Sequence, residues 1–445
     1  MNEPIRIFEY EDCAEKDSLT GRKYSNELIK YKYGLIKLNS ELKKKLKADG
    51  DIITVLPGGK LRTSHYVGVL QVNNLRIEIL PKLYRQDTDD NKYKVSQALK
   101  NLSYMLKYVT NLKIGETPQS IFETGDILEI YISMFLSELE NVLQSSIFRE
   151  YVTVEENLST VRGKLLLTQH IRSNSVKNLP HAFCQFDELT RDNLLNQTIK
   201  YTLRLLRCIS QSYDNQRKIE QFLFIFDDVS DVAIHPHHQN KIHFHRLNLQ
   251  FKHVIDKCFM FIRNFAVDLS SGRFVHGGII FDMNVLFEEF LGKLLRKNHE
   301  EILRKTEFED CNVHLQSKWE YLVEEPVCFR LIPDIVLIKN EKAELIIDTK
   351  YKVLDSSKRY YGVSQEDVYQ MFAYLHKFEC SRGVLLYPWN EKLSSSERTG
   401  IVKPYCFDKT RTLHIATIDL KRDLRVECDR LKKELHEFFR ELRAA

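Results

Sequence analysis

The stretch Arg330–Lys352, RLIPDIVLIKNEKAELIIDTKYK, decides the fold. An apolar run around Pro333-Asp334 gives way to a short polar turn, Lys339 to Lys342. A second apolar run then ends in Asp348-Thr349-Lys350. Two such runs split by a turn predict a hairpin, which brings their far ends together. Side chains alternate faces along a strand, so Asp348 and Lys350 are expected on one face and Thr349 on the other. With Asp334 on that face of the neighbouring strand, two carboxylates and one ammonium converge. Leu345, Ile346 and Ile347 show no alternation, which predicts a strand buried on both faces. Charged groups at the end of such a strand must pair or coordinate, because burying them alone is costly. Two carboxylates form a hard-oxygen site suited to Mg²⁺ or Mn²⁺. The lysine beside them is placed to orient or deprotonate an attacking water. The plain alternative is a solvated charged pair at a strand end.

The flanks add elements in a definite order. Asp282 to Asn298 reads as a helix with Val285, Leu286, Phe290, Leu291, Leu294 and Leu295 apolar and with Glu288 and Glu289 on it. After the hairpin, Ser364 reads as an N-cap with Asp367 three residues on. The helix that follows carries Val368, Met371, Phe372 and Leu375 on one face, and Gln370 and Tyr374 at i, i+4. Gly383 to Tyr387 closes the set as a strand. These residues in this order resemble the PD-(D/E)xK nuclease superfamily, whose core runs helix, hairpin, helix, strand. The resemblance implies that Asp334 and Asp348 hold metal and that Lys350 acts on the attacking water and on the charge of the scissile phosphate. It also implies Glu288 as a third acidic ligand and Gln370 as a supporting residue.

Two further segments narrow the likeness. YVGVLQVNNLRIEILPKLY (Tyr66 to Tyr84) carries a Val-Gly-Val strand and an Ile-Glu-Ile-Leu-Pro-Lys strand. FDELTRDNLLNQTIKYTLRLL (Phe186 to Leu206) opens on an Asp/Asn-rich start. With Asp348-Thr349-Lys350-Tyr351-Lys352, these resemble the McrC family, nuclease subunits of the McrBC modification-dependent restriction systems, over roughly residues 50 to 400. The resemblance implies a Mg²⁺-dependent endonuclease acting on double-stranded, 5-methylcytosine-modified DNA in the cytoplasm. It implies a separate McrB-like AAA+ GTPase hexamer as partner, docked by the N-terminal β-containing region and stimulated by it. No G-x-x-x-x-G-K-[ST] motif is present, so a nucleotide-driven motor has to be another chain. Two rivals stay open: a stand-alone repair nuclease, and a non-catalytic activator of an AAA+ motor.

At 445 residues with 43% hydrophobic content, the chain exceeds one ordinary core. The expected fold is mixed α/β. It is divided into 1–150 (β-rich then helical, partner-docking), 151–260 (a helical middle region) and 261–445 (the PD-(D/E)xK-like core with a C-terminal helix). No apolar run approaches the roughly eighteen residues a membrane span needs. The first residues, MNEPIRIFEYEDCAEK, lack the apolar segment of a secretory signal. Nine scattered cysteines without a CxxC pair read as reduced thiols. The net charge of +4 excludes a uniformly basic protein but permits patches such as Lys43, Lys44, Lys45 and Lys47, read as a solvated helix face.

Along the chain, strands are expected over Ile52–Leu56, His65–Val72 and Leu75–Leu80, with turns at Pro57-Gly58-Gly59 and Asn73-Asn74 and a polar stretch from Arg85 to Lys94. Helices are expected over Val95–Asn111, Ser120–Glu150, Asp187–Tyr213, Gln216–Phe226 and Leu247–Leu269. Val152–Leu167 should be extended, Ser173–Asn178 a loop, and the nuclease core should begin near Phe274. Five histidines between His235 and His245 match no zinc spacing and read as a polar loop or a contact to DNA phosphates. Leu424, Cys428, Leu431, Leu435, Phe438 and Leu442 form a short heptad-like seam, read as a helix packed on its own domain.

Overall fold

In the computed structural model, Ile335–Lys339 and Lys342–Thr349 form the antiparallel hairpin that the sequence predicts. Asn340 and Glu341 make the turn, both with positive φ (50° and 67°), as a two-residue hairpin loop requires. The hairpin lies in a six-stranded sheet. Its order is Asn312–Leu315, Ile335–Lys339, Lys342–Thr349, Arg382–Pro388, Thr412–Ile418 and Gly400–Cys406. Lys342–Thr349 and Arg382–Pro388 run parallel. The helix Gln365–Lys377 makes the crossover between them, capped by Ser364, whose side chain accepts from the Asp367 backbone N–H. Leu345, Ile346 and Ile347 are buried, as the unalternating run implied. Gly383 lies under this helix, where an added Cβ would sit 2.6 Å from Met371 Sδ, so the glycine permits the close packing.

The structure describes residues 4–18, 20–48, 50–73, 75–84, 91–110, 126–144, 147–175, 180–268, 273–316 and 320–442. Asn74, the stretch 85–90, the start of the expected helix at 120–125 and the end of the expected loop at 176–178 lie outside them. No described helix is long and apolar enough to cross a membrane.

The chain groups into two units: Met1–Lys113 with Pro118–Ile130 and Gly278–Ala445, and Ile114–Thr117 with Tyr131–Gly277. These cut across the linear division at 150 and 260, because the N-terminal strands and the C-terminal core belong to one unit. In that unit, Ile5–Phe8 pairs parallel to Leu75–Leu80, which pairs antiparallel to Tyr66–Val72. Residues 278–282 of the strand Arg273–Asp282 run beside Tyr66–Val72. A core beginning near Phe274 is therefore corrected: its first element is the helix Met283–Lys297, capped by Asp282. Gly68, in the Val-Gly-Val strand, has φ +137°, and a Cβ there would lie 2.0 Å from the Ile279 carbonyl oxygen. Only glycine permits that approach. Elements not expected from the sequence include the strands Ile5–Phe8, Asn312–Leu315, Gly400–Cys406 and Thr412–Ile418, the hairpin strand Lys60–Thr63, paired with Ile53–Leu56, and the helix Ser25–Leu46, which buries Leu28, Leu35, Leu38 and Leu42. The C-terminal helix Cys428–Glu441 buries Leu431, Leu435 and Phe438 against its own unit, contacting His299–Ile302 and Gly400–Cys406.

The second unit is not simply helical. Glu150–Leu158, Lys164–Leu165 and Ala182–Thr190 form a three-stranded sheet. The helix expected from Asp187 therefore starts at Leu194. Strand pairing of Ala182–Thr190 with Glu150–Leu158 takes residues 187–190, and the Asn193 side chain caps the helix. The helix Lys252–Asn264 likewise ends earlier than expected, before the strand Phe265–Asp268. Its Lys257 forms a buried ion pair with Glu138 at 2.7 Å. The histidine segment makes a short 3-10 turn, Pro236–Lys241, in which His238 Nδ1 accepts from the His235 N–H.

Candidate active site

The ends of the hairpin, the helix Met283–Lys297 and the helix Gln365–Lys377 enclose a cleft of about 310 Å³. Asp334, Asp348, Lys350, Glu288 and Gln370 all line it. The register explains why. Ile335 pairs with Ile347, so Asp334 and Asp348 stand opposite one another, one step beyond the paired residues.

Asp348 is 2% exposed, and its Oδ2 meets Lys350 Nζ at 2.6 Å. That buried carboxylate oxygen therefore has the ammonium as its charge partner. Lys350 Nζ also donates to Gln370 Oε1 at 2.9 Å and lies 3.8 Å from Asp367 Oδ1. Gln370 donates to the Tyr374 hydroxyl, which donates to the Ile332 carbonyl, two residues before Asp334. On the other side, Glu288 is held by Gln316 and shares a hydrogen bond with Asp334.

The electrostatics follow from this crowding. Burial, then repulsion by Glu288, pushes Asp334 up to about 6. Burial, then repulsion by Asp334, pushes Asp348 up to about 7. Glu288 is raised by burial and by Asp348. Burial pulls Lys350 down, but Asp348, Asp367 and Asp334 outweigh it, so the ammonium is held more firmly than usual. The cleft thus concentrates negative charge without enough positive charge to balance it.

Alternation leaves one contact unread. Thr349, expected to point away, donates from both its N–H (2.7 Å) and its hydroxyl (2.8 Å) to Asp334 Oδ2. The strand ends there: Lys350 N–H bonds the Leu386 carbonyl, and Lys352 N–H bonds the Lys350 carbonyl in a tight turn about Tyr351. Lys352 and Asp367 were missed as a pair. Lys352 Nζ donates to the buried Asp367 Oδ2 at 2.7 Å. A third charge spaced by two after Asp348 and Lys350 was the available signal, since a second ammonium on that face calls for a second acid. Val285 and Phe372, read as apolar faces, are 48% and 42% exposed, so each helix buries a narrower stripe than its sequence suggests.

Among the described residues, no group of three or more His, Cys, Asp or Glu side chains is closed into a metal-binding arrangement. The donors nonetheless suit a hard divalent cation. Asp334 and Asp348 face each other with Glu288 alongside, and among the described residues no His or Cys lines the cleft.

Comparison with known proteins bears on the whole chain. A family model described as McrBC 5-methylcytosine restriction system component matches residues 61–388. A chain from a half-complex of Thermococcus gammatolerans McrB AAA+ hexamers with bound McrC superposes with a TM-score of 0.75. It is 20% identical, over 99% of this chain and 100% of that one, a likeness of fold. A cryo-EM structure of the Thermococcus gammatolerans McrBC complex gives 0.49 at 23% identity, over 67% of this chain and 88% of that one. No curated protein matches the sequence.

Proposed function

This chain belongs to the family of McrBC 5-methylcytosine restriction system components, and from that premise we propose that it is the DNA-cleaving subunit. In this reading it is a Mg²⁺-dependent endonuclease that hydrolyses phosphodiesters of 5-methylcytosine-modified double-stranded DNA. It works with an AAA+ GTPase hexamer, as the McrC of the similar assembly is bound to McrB hexamers. One observation carries the proposal: Asp334, Asp348 and Lys350, from the two ends of one hairpin, line a single cleft with excess negative charge.

Asp334 and Asp348, with Glu288 at their side, would hold the cation, which when bound supplies Lewis acidity at the scissile phosphate. Thr349 fixes the Asp334 carboxylate by two hydrogen bonds. Gln370 and Asp348 fix the Lys350 ammonium. A lysine held this firmly protonated acts as an orienting donor and offsets charge developing on the phosphate, rather than as a base. The test is cleavage of methylated DNA by the full chain with its GTPase partner. Activity is expected to vanish in EDTA, to return with Mg²⁺ or Mn²⁺, and to fall at least about a hundredfold in Asp348→Ala. Undiminished cleavage by the folded Asp348→Ala chain would overturn the assignment.

A further inference from the structure

The turn that aims Lys350 is held from outside the core that contains it. Tyr351 sits at the apex of that turn and is 2% exposed. Its backbone carbonyl accepts from Lys82 Nζ at 2.8 Å, and the same ammonium lies 4.3 Å from the Tyr351 ring centroid. Its ring packs on Phe287, the neighbour of Glu288, at 5.6 Å. Lys82 is set in turn: its backbone N–H donates to Glu9 Oε1 at 2.9 Å, and Tyr10 covers its ammonium at 4.1 Å. Glu9 follows the strand Ile5–Phe8, and Lys82 follows the strand Leu75–Leu80, its parallel partner. The ends of two adjacent strands of the N-terminal sheet therefore converge on one residue of the nuclease motif: Glu9 sets Lys82, and Lys82 holds the Tyr351 carbonyl and ring.

We propose that Lys82, oriented by Glu9, is a positioning residue for Lys350, so that cleavage geometry depends on the N-terminal sheet. The inference rests on the nuclease reading above and deepens it. Lys82 reaches the cleft through Tyr351, the lining residue whose carbonyl and ring it holds. Its effect passes through the turn: release of the Tyr351 carbonyl frees Lys350 on one side and Lys352 on the other. Burial lowers the Lys82 ammonium to about 8, a cost a merely solvated lysine would avoid.

The experiment compares the full wild-type chain with Lys82→Met, Lys82→Arg and Glu9→Gln, each in the presence of the GTPase partner. Three readouts are taken: DNA cleavage against Mg²⁺ concentration, thermal melting, and hydrogen exchange of the backbone around residues 349–353. Lys82→Met is expected to lower the maximal cleavage rate at least tenfold with the Mg²⁺ midpoint unchanged, and to raise exchange selectively at that turn. Lys82→Arg, which keeps a donor and a cation, is expected to recover most of the rate. A folded Lys82→Met chain that cleaves within twofold of wild type overturns the proposal, as does unchanged exchange at the turn. A drop in rate accompanied by an equal shift in the Mg²⁺ midpoint also overturns it, since that would mean a damaged metal site. Failure of the nuclease reading itself appears differently: the wild-type chain would not cleave, while the exchange contrast would still decide whether Lys82 holds the turn.

Discussion

Two clusters of buried charge in the same unit look alike until one asks what they face. In the N-terminal sheet, Arg6 Nε bonds Glu78 Oε2 at 2.8 Å, and Arg76 pairs with Asp126 and donates two bonds to Gln71 Oε1. In the cleft, Asp334, Asp348 and Glu288 crowd around Lys350. Both contain a carboxyl pushed up to about 7, Glu78 by burial and then by Asp126, and Asp348 by burial and then by Asp334. A raised carboxylate is therefore no mark of function by itself. The clusters differ in access and balance. Glu78 is 0% exposed and belongs to a set with two arginines, whereas the acids of the cleft outnumber their cations and open onto space for a ligand.

The comparison predicts opposite responses to substitution. Arg76→Met removes a cation that is 5% exposed and strands Asp126. Leaving a buried charge unpaired costs about 3–5 kcal/mol, so a large fall in the urea midpoint is expected. An unchanged midpoint would show that this cluster is looser than its burial implies. Asp334→Asn should do the reverse. It relieves repulsion in the metal-free chain and so leaves the melting temperature within a few degrees, yet it lowers cleavage by about a hundred- to a thousandfold. Marked unfolding with little catalytic loss would move Asp334 from the site to the scaffold.

A subtler separation comes from pH. Asp334 and Asp348 have folded pKa values raised to about 6 and about 7, against roughly 3.9 when unfolded. Folding therefore favours their protonated forms. The stability they contribute is complete below the unfolded value and is lost as pH rises through about 7. A cation needs the deprotonated forms, so its stabilisation should grow across that window. Mg²⁺ is expected to raise the melting temperature by more at pH 8 than at pH 5.5, relative to EDTA at each pH. Glu78 lowers stability over the same window but is indifferent to metal. An equal Mg²⁺ effect at both pH values would place the cation elsewhere.

Much of this was legible from local pattern. The hairpin, its opposed acids and the capped helices Met283–Lys297 and Gln365–Lys377 follow from periodicity, a two-residue turn and the Ser364 cap. What stayed hidden depends on partners distant in sequence. The pull of Ala182–Thr190 into a strand came from its pairing with Glu150–Leu158, which no local propensity contains. The bonds of Thr349 stayed hidden because Asp334 lies just before the strand Ile335–Lys339 and reaches the N–H and hydroxyl of the residue next to its opposite number, a contact that alternation does not encode. The grip of Lys82 on that turn joins residues 269 positions apart, beyond the reach of any spacing rule.

The smallest expected effect is the sharpest check, because it contrasts neighbours on one helix. Glu288 and Glu289 are both acidic neighbours on the helix, and only Glu288 is expected at the cleft. One residue of helix rotates a side chain by about 100°, so they cannot share a face. Glu288 lines the cleft and bonds Asp334. Glu289 is 43% exposed and pairs with Lys293, four residues on, at 2.8 Å. Glu289→Gln should therefore cost only about 0.3–0.5 kcal/mol of stability, the worth of one exposed i, i+4 pair, and leave the Mg²⁺ titration of cleavage unmoved. Glu288→Gln should shift that titration to higher Mg²⁺ while barely changing stability, since it removes a charge the cation would have neutralised. If both variants shift the titration equally, the long-range field of the helix governs metal affinity, and Glu288 has no special place at the site.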